Sequence, residues 1–152
     1  MTESTFEKIL KDDGVLVYKT KGVSMQPMLK QERDIIIIRP KPEGRLHKYD
    51  VPLYKRGQKY VLHRIIAVRE NDYAILGDNT YQVEYGITDD KIIGVLSEFV
   101  RKGKHYNVTD RGYMVYSRVW CAIYPLRATY RRIKSLIFRF AGRILRILNL
   151  RK

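Results

Sequence analysis

A chain with a single cysteine cannot close an internal disulfide. Cys121 is the only thiol among these 152 residues, so a disulfide framework is excluded and no cysteine zinc cluster can form. Its neighbours Val119, Trp120, Ala122 and Ile123 suit a buried, unreactive thiol. Long apolar runs are missing too. No uncharged stretch approaches the roughly 18 residues that cross a bilayer, and the polar, acidic start Met1-Thr-Glu-Ser-Thr-Phe-Glu-Lys lacks a signal-peptide pattern. Both absences lead us to expect the cytoplasmic side, with peripheral membrane association open. Internal repeats and low-complexity linkers are absent. The last absence is of one charge sign: from Arg118 to Lys152 there are ten Lys or Arg and no Asp or Glu.

What is present follows from that last point. The formal net charge is +14, and most of the excess sits in this C-terminal segment, while the preceding body is nearly balanced. A charge so concentrated calls for an anionic partner, either a lipid surface or nucleic acid. From about Gly112 the apolar residues take helical spacing. Tyr113, Tyr116, Trp120, Ile123 and Tyr124 form one helix that Pro125 should break or restart. Beyond it Leu126, Tyr130, Ile133, Ile137, Phe140, Ile144 and Leu148 recur every three to four residues, opposite Arg127, Arg131, Arg132, Lys134, Arg139, Arg143 and Arg146. This is an amphipathic helix with a cationic polar side. It suits an interfacial helix on anionic lipid through residues 126–152; the other arrangement lays the apolar stripe on the body and leaves the arginines in water. Nucleic acid is disfavoured, because the body has no recognisable aromatic-basic RNA motif.

The body reads as mainly β. Ser4-Thr5-Phe6-Glu7 is a capping box that starts a short helix, with Phe6, Ile9 and Leu10 on one face and a stop near Gly14. Strands are expected over Val15–Tyr18, Asp34–Arg39, Asp50–Tyr54, Lys59–Arg69, Tyr73–Leu76, Lys91–Val100 and Tyr106–Thr109. Pro52 predicts an edge or a bulge for the third. In the fourth, alternation puts Tyr60, Leu62, Arg64, Ile66 and Val68 on one face and Val61, His63, Ile65 and Ala67 on the other. The resulting division is a β body over 1–110 and a basic helical extension over 111–152.

Chemistry centres on the turn Gly22-Val23-Ser24-Met25-Gln26-Pro27-Met28-Leu29. A serine there is a nucleophile only if a base adjoins it; otherwise it is a turn hydroxyl. Among the histidines, His47 and His105 lie in polar, basic loops and are expected to face solvent, whereas His63 sits within a strand pattern that would hold it in place. The second nitrogen of a catalytic imidazole needs a buried acceptor. Asp78 and Glu84 are both candidates, and spacing does not choose between them.

In order along the chain, these pieces resemble the signal peptidase I and LexA-related serine peptidases (S24/S26). Ser24-Met25-Gln26-Pro27-Met28-Leu29 is similar to the Ser-Met-x-Pro motif, and Asp34-Ile-Ile-Ile-Ile to the strand that follows it. Tyr49-Asp50-Val51 resembles the Gly-Asp-Val box, with tyrosine for glycine. Leu62-His63-Arg64-Ile65 resembles the base-bearing box, and Gly77-Asp78-Asn79 through Ile92-Ile93-Gly94 the Gly-Asp-Asn box and its closing strand. The resemblance covers about residues 18 to 100. It implies a signal peptidase/LexA-like β fold and a Ser24–His63 dyad of the histidine type, with Glu84 at the position of that subgroup's acidic residue. It further implies an oxyanion and substrate site at the backbone of Gly22, Ser24 and Met25, cleavage of extended leader or signal peptides after small residues, and no cofactor or metal. The largest departure from the family is that no N-terminal membrane anchor is expected, the membrane-like element lying at the other end; Glu84 in place of aspartate, Tyr49 in place of glycine and Pro52 in that strand depart as well. A self-cleaving LexA-type repressor is disfavoured by the histidine, by the lack of a helix-turn-helix and by the lack of an Ala-Gly pair before Ser24. The alternative function is a non-catalytic peptidase-like module that docks a peptide, a membrane or nucleic acid through its basic tail.

Overall fold

The computed structural model describes residues 5–149; the side chains of residue 142 and of residues 144–149 lie outside that description. Ser4 of the capping box, and Ile144, Arg146 and Leu148 of the amphipathic pattern, therefore fall outside it. Helix α1 (Thr5–Asp12) buries Leu10 and half-buries Phe6 and Ile9, as its sequence spacing requires. The expected stop follows at once, with Gly14 in the left-handed region at φ +67°.

Nine strands follow among the described residues: β1 (Leu16–Lys19), β2 (Asp34–Pro40), β3 (Pro52–Arg56), β4 (Lys59–Leu62), β5 (Arg64–Val68), β6 (Tyr73–Leu76), β7 (Glu84–Ile87), β8 (Ile92–Arg101) and β9 (Lys104–Asn107). All observed pairings are antiparallel. One curled sheet has the order β1-β2-β8-β3-β4, with β9 also on β8, and a smaller sheet has the order β5-β6-β7. The long β8 carries β2 along one side, and β3 followed by β9 along the other. In β2 the alternation is clear: Asp34, Ile36 and Ile38 point inward while Ile35 is exposed. One core lies between α1, the larger sheet and the Met25, Met28 and Leu29 side chains of the serine turn. A second, built on Tyr54, Ile65, Tyr73 and Ile75, joins the two sheets. Each fully buried side chain of this kind stabilises the fold by about 1.5–3 kcal/mol.

One expectation needs correction. The continuous strand over Lys59–Arg69 is two strands in different sheets: β4 ends at Leu62, β5 begins at Arg64, and His63 is the residue between them. The two-face alternation therefore does not carry across His63, and a bulge between Ile65 and Ala67 breaks it again. Sequence periodicity cannot detect this, because a chain that changes sheets keeps its apolar character throughout. Of the edge or bulge expected at Pro52, the structure has the irregularity and not the edge, since β3 is internal, between β8 and β4. Pro52 is accommodated because it is the first residue of the strand, beside a register shift at Leu53/Tyr54. Strand β7, which carries Glu84, was not expected at all.

The C-terminal helices are α2 (Arg111–Ala122) and α3 (Tyr124–Asn149), and Pro125 restarts the helix in the first turn of α3, where its missing N–H costs nothing. Among the described residues no helix is long and apolar enough to cross a membrane. Cys121 is half-buried rather than buried, and burial pushes its thiol pKa up.

Candidate active site

Ser24 is half-buried in the turn between β1 and β2, preceded by Gly22 at φ +80°. Met25 turns inward and is 5% exposed, which anchors the turn to the core. The turn is tied to a second loop: the Asn79 N–H donates to the Ser24 carbonyl (2.7 Å), and the Asn79 side-chain amide donates to the Val23 carbonyl (3.1 Å). Among the described residues the Ser24 hydroxyl and the N–H groups of Ser24 and Met25 make no hydrogen bond.

His63 is 4% exposed at the crossover between the sheets. Its Nδ1 lies 3.1 Å from Glu84 Oε1 and 3.3 Å from the Tyr54 hydroxyl, and that hydroxyl donates its own proton to Glu84 Oε2 (3.0 Å). Nδ1 therefore faces acceptors only, which assigns its proton to Nδ1 and leaves Nε2 with a free lone pair. Arg56 donates to Glu84 Oε1 (2.9 Å) and completes the carboxylate's shell. Burial lowers the pKa of His63 below its ordinary 6.5; Glu84 pulls it partly back up, and Arg56 opposes that. Burial thus favours the neutral imidazole, and Glu84 and Tyr54 orient it.

His63 Nε2 and the Ser24 backbone carbonyl both lie against Gly77. A Cβ built on Gly77 would lie 2.8 Å from the Ser24 carbonyl oxygen and 2.9 Å from His63 Nε2. Gly77 is needed there for space, since a methyl group would press on the backbone of one residue and the ring of the other. Gly77→Ala is expected to cost about 1–3 kcal/mol, the usual penalty for overpacking, and to displace the His63 ring. Denaturant unfolding and the His63 imidazole NMR resonances would check this; unchanged resonances would refute the crowding.

Of the two candidate acids, Glu84 is at the imidazole and Asp78 is not. Asp78 is 3% exposed and takes both of its oxygens to Arg64, from Nε to Oδ1 and from Nη2 to Oδ2 at 2.9 Å each. Arg64, fully buried, also donates to the Tyr49 carbonyl (3.2 Å), the Tyr113 hydroxyl (3.2 Å) and Ser117 Oγ (2.7 Å). Tyr49 stands at φ +84°, a conformation that favours glycine, and hydrogen bonds through its N–H to Ile65 and its carbonyl to Arg64 hold it there. The C-terminal helices close over this cluster. Tyr116 donates to Asp78 Oδ2 (3.0 Å), Trp120 and Arg127 donate to the Asp78 carbonyl (2.9 and 2.7 Å), and Arg131 reaches the Asn79 carbonyl (2.7 Å) and side chain. Sequence spacing missed Arg64, Tyr54 and Arg56 as supporting groups; the arginine next to the histidine was their only signal. His47 and His105 are exposed, as expected.

Ser24 and His63 line one cleft of about 890 Å³ with Gly22, Met25 and Glu84. Its floor is apolar, with Leu16, Ile36, Leu53 and Leu62. Residues of β1 and of β4, both edge strands of the curled sheet, line it, so strand edges border the space. Such edges can pair with an extended chain. Among the described residues, no group of three or more His, Cys, Asp or Glu could hold a metal ion. No protein-family model matches the sequence, and no curated protein matches it.

Proposed function

We propose that this protein is a serine endopeptidase of the signal-peptidase-like type, which uses Ser24 as nucleophile and His63 as base on extended leader or signal peptides. One observation carries the reading: His63 is fixed through Nδ1 by half-buried Glu84 and buried Tyr54, and its Nε2 lies against Gly77, as does the Ser24 carbonyl oxygen. In this scheme Nε2 takes the Ser24 proton as Oγ attacks the peptide carbonyl, giving a tetrahedral oxyanion and an imidazolium. The imidazolium then returns the proton to the leaving amine, and water repeats the sequence on the acyl-enzyme. The free N–H groups of Ser24 and Met25 are the donors available to the oxyanion. The order of the motifs supports the kinship with the S24/S26 peptidases, and so does the glycine-type backbone of Tyr49 at the glycine position of the Gly-Asp-Val box. A fluorophosphonate probe tests the reading directly: covalent labelling of Ser24, with cleavage of small-residue peptides, is expected of the wild type. No labelling and no cleavage would leave the peptidase-like binding module.

Glu84→Gln tests the role of the carboxylate. A glutamine can turn its NH2 toward Nδ1, which favours the tautomer with the proton on Nε2, where it blocks proton abstraction. A loss in kcat of about 100-fold to 10,000-fold is expected, the range for a misoriented base. Activity requires neutral His63, so it rises with pH through the His63 pKa, and this acidic limb lies below 6.5 because burial lowers that pKa. Glu84 is what raises it, so the limb of Glu84→Gln moves to still lower pH. A limb shifted upward would contradict the assignment.

A further inference from the structure

The amphipathic helix α3 is mounted the opposite way round from a helix that packs on a core. The contacts that hold it to the body come from Tyr124, whose hydroxyl donates to the Tyr81 carbonyl (2.8 Å), and from Arg127 and Arg131 on the 78–79 loop. Buried Ala128 lies on the same side. At 3.6 residues per turn, Leu126, Tyr130, Ile133, Leu136, Ile137 and Phe140 fall within about a third of the circumference, on the side facing away from those anchors. Their exposures run from 50% at Leu136 to 73% at Leu126. The cationic side is thus partly spent on the body at the start of α3, while every described side chain from Thr129 onward is exposed, the apolar stripe among them.

We infer that this stripe is a docking face for an anionic lipid surface and that α3 lies flat in it, holding the Ser24 cleft at the membrane. Charge decides the occupant. Exposed Arg132, Arg139 and Arg143 border the stripe on one side and Lys134 on the other, the positions from which basic side chains reach headgroups when an apolar face sinks into the acyl boundary. A second copy of the helix would bring these same cations together, and no acid occurs from Arg118 onward to offset them. A nucleic acid would take the cations and leave the apolar stripe in water. The stripe continues next to the site: Leu126 and Tyr130 share a hollow with Gln26 and Pro27 of the serine turn.

The inference is independent of the chemistry at Ser24, and vesicle co-sedimentation of the full chain tests it. The protein is expected to sediment with vesicles of phosphatidylcholine plus phosphatidylglycerol, weakly with phosphatidylcholine alone, and less as salt rises. Ile133→Glu with Ile137→Glu should lower the partition by about 100-fold or more. Arg132→Gln, Arg139→Gln and Arg143→Gln together should lower it by about 100-fold, from about 1 kcal/mol for each charge. These positions are exposed, so circular dichroism should show every variant folded. Ser24→Ala should bind as the wild type does, which separates this face from the peptidase reading. Lack of binding to the anionic vesicles, or binding that survives the two glutamates, overturns the inference. So does a dimer in light scattering that the glutamates dissociate, or RNA binding that they leave intact without vesicle binding.

Discussion

Ser24→Ala is expected to reduce peptide cleavage by at least about 1,000-fold, the scale on which serine hydrolysis collapses without its nucleophile. With the hydroxyl gone no acyl-enzyme can form, and only direct attack by water remains. The fold should be untouched: Ser24 is half-buried, its hydroxyl has no partner among the described residues, and its carbonyl still accepts the Asn79 N–H. Stability should stay within about 0.5 kcal/mol of wild type. His63→Ala should remove activity to the same extent but also destabilise, because the ring is buried against Tyr54 and Gly77. The double variant should be no less active than either single one, since nucleophile and base act as a unit. A Ser24→Ala enzyme that keeps more than about a tenth of the wild-type rate would remove Ser24 from the chemistry. A silent Ser24→Ala, with association lost on deleting residues 126–152, would favour the binding module.

Arg64→Met should be the most destabilising single change, at about 3–5 kcal/mol, because it strands the Asp78 carboxylate in a buried site. The loss goes beyond one ion pair. The guanidinium also supplies donors to Tyr49, Tyr113 and Ser117, and it lies beneath the rings of Tyr113 and Tyr116. Arg64→Lys keeps the charge but not the planar fork, so it should fall between wild type and Arg64→Met. Arg64→Met combined with Asp78→Leu should recover part of the loss, since no unpaired charge then remains. Urea midpoints for the four proteins decide this. A loss below about 1 kcal/mol in Arg64→Met would mean that the pair is compensated by water. Because Asn79, next to Asp78, holds the Ser24 turn, Arg64→Met should also impair cleavage without touching substrate.

Local chemistry made much of this legible. The Asp34–Arg39 strand, the Gly14 stop, the Pro125 restart and the exposed His47 and His105 all follow from rules about neighbours in the chain. Ser24, His63 and Glu84 were legible as candidates from motif order, but the choice between Glu84 and Asp78 at the imidazole was not. Both are acids in short polar stretches. What separates them is β7, a strand too short and polar to register as a pattern, which carries Glu84 to Nδ1. Asp78 is claimed by Arg64, one residue past the histidine, because the chain switches sheets at His63 and so directs the two neighbours to different partners.

The amphipathic helix divides in the same way. Its existence, its cationic side and its apolar stripe are set by the sequence alone, because helical periodicity is a property of consecutive residues. Which side meets the body was a tertiary decision. Arg127 and Arg131 find backbone carbonyls to bond at Asp78 and Asn79, and those directional contacts hold the helix by its polar side, turning the apolar side outward. Contacts between residues distant in the chain depend on where the sheets bring them, and no local pattern encodes that.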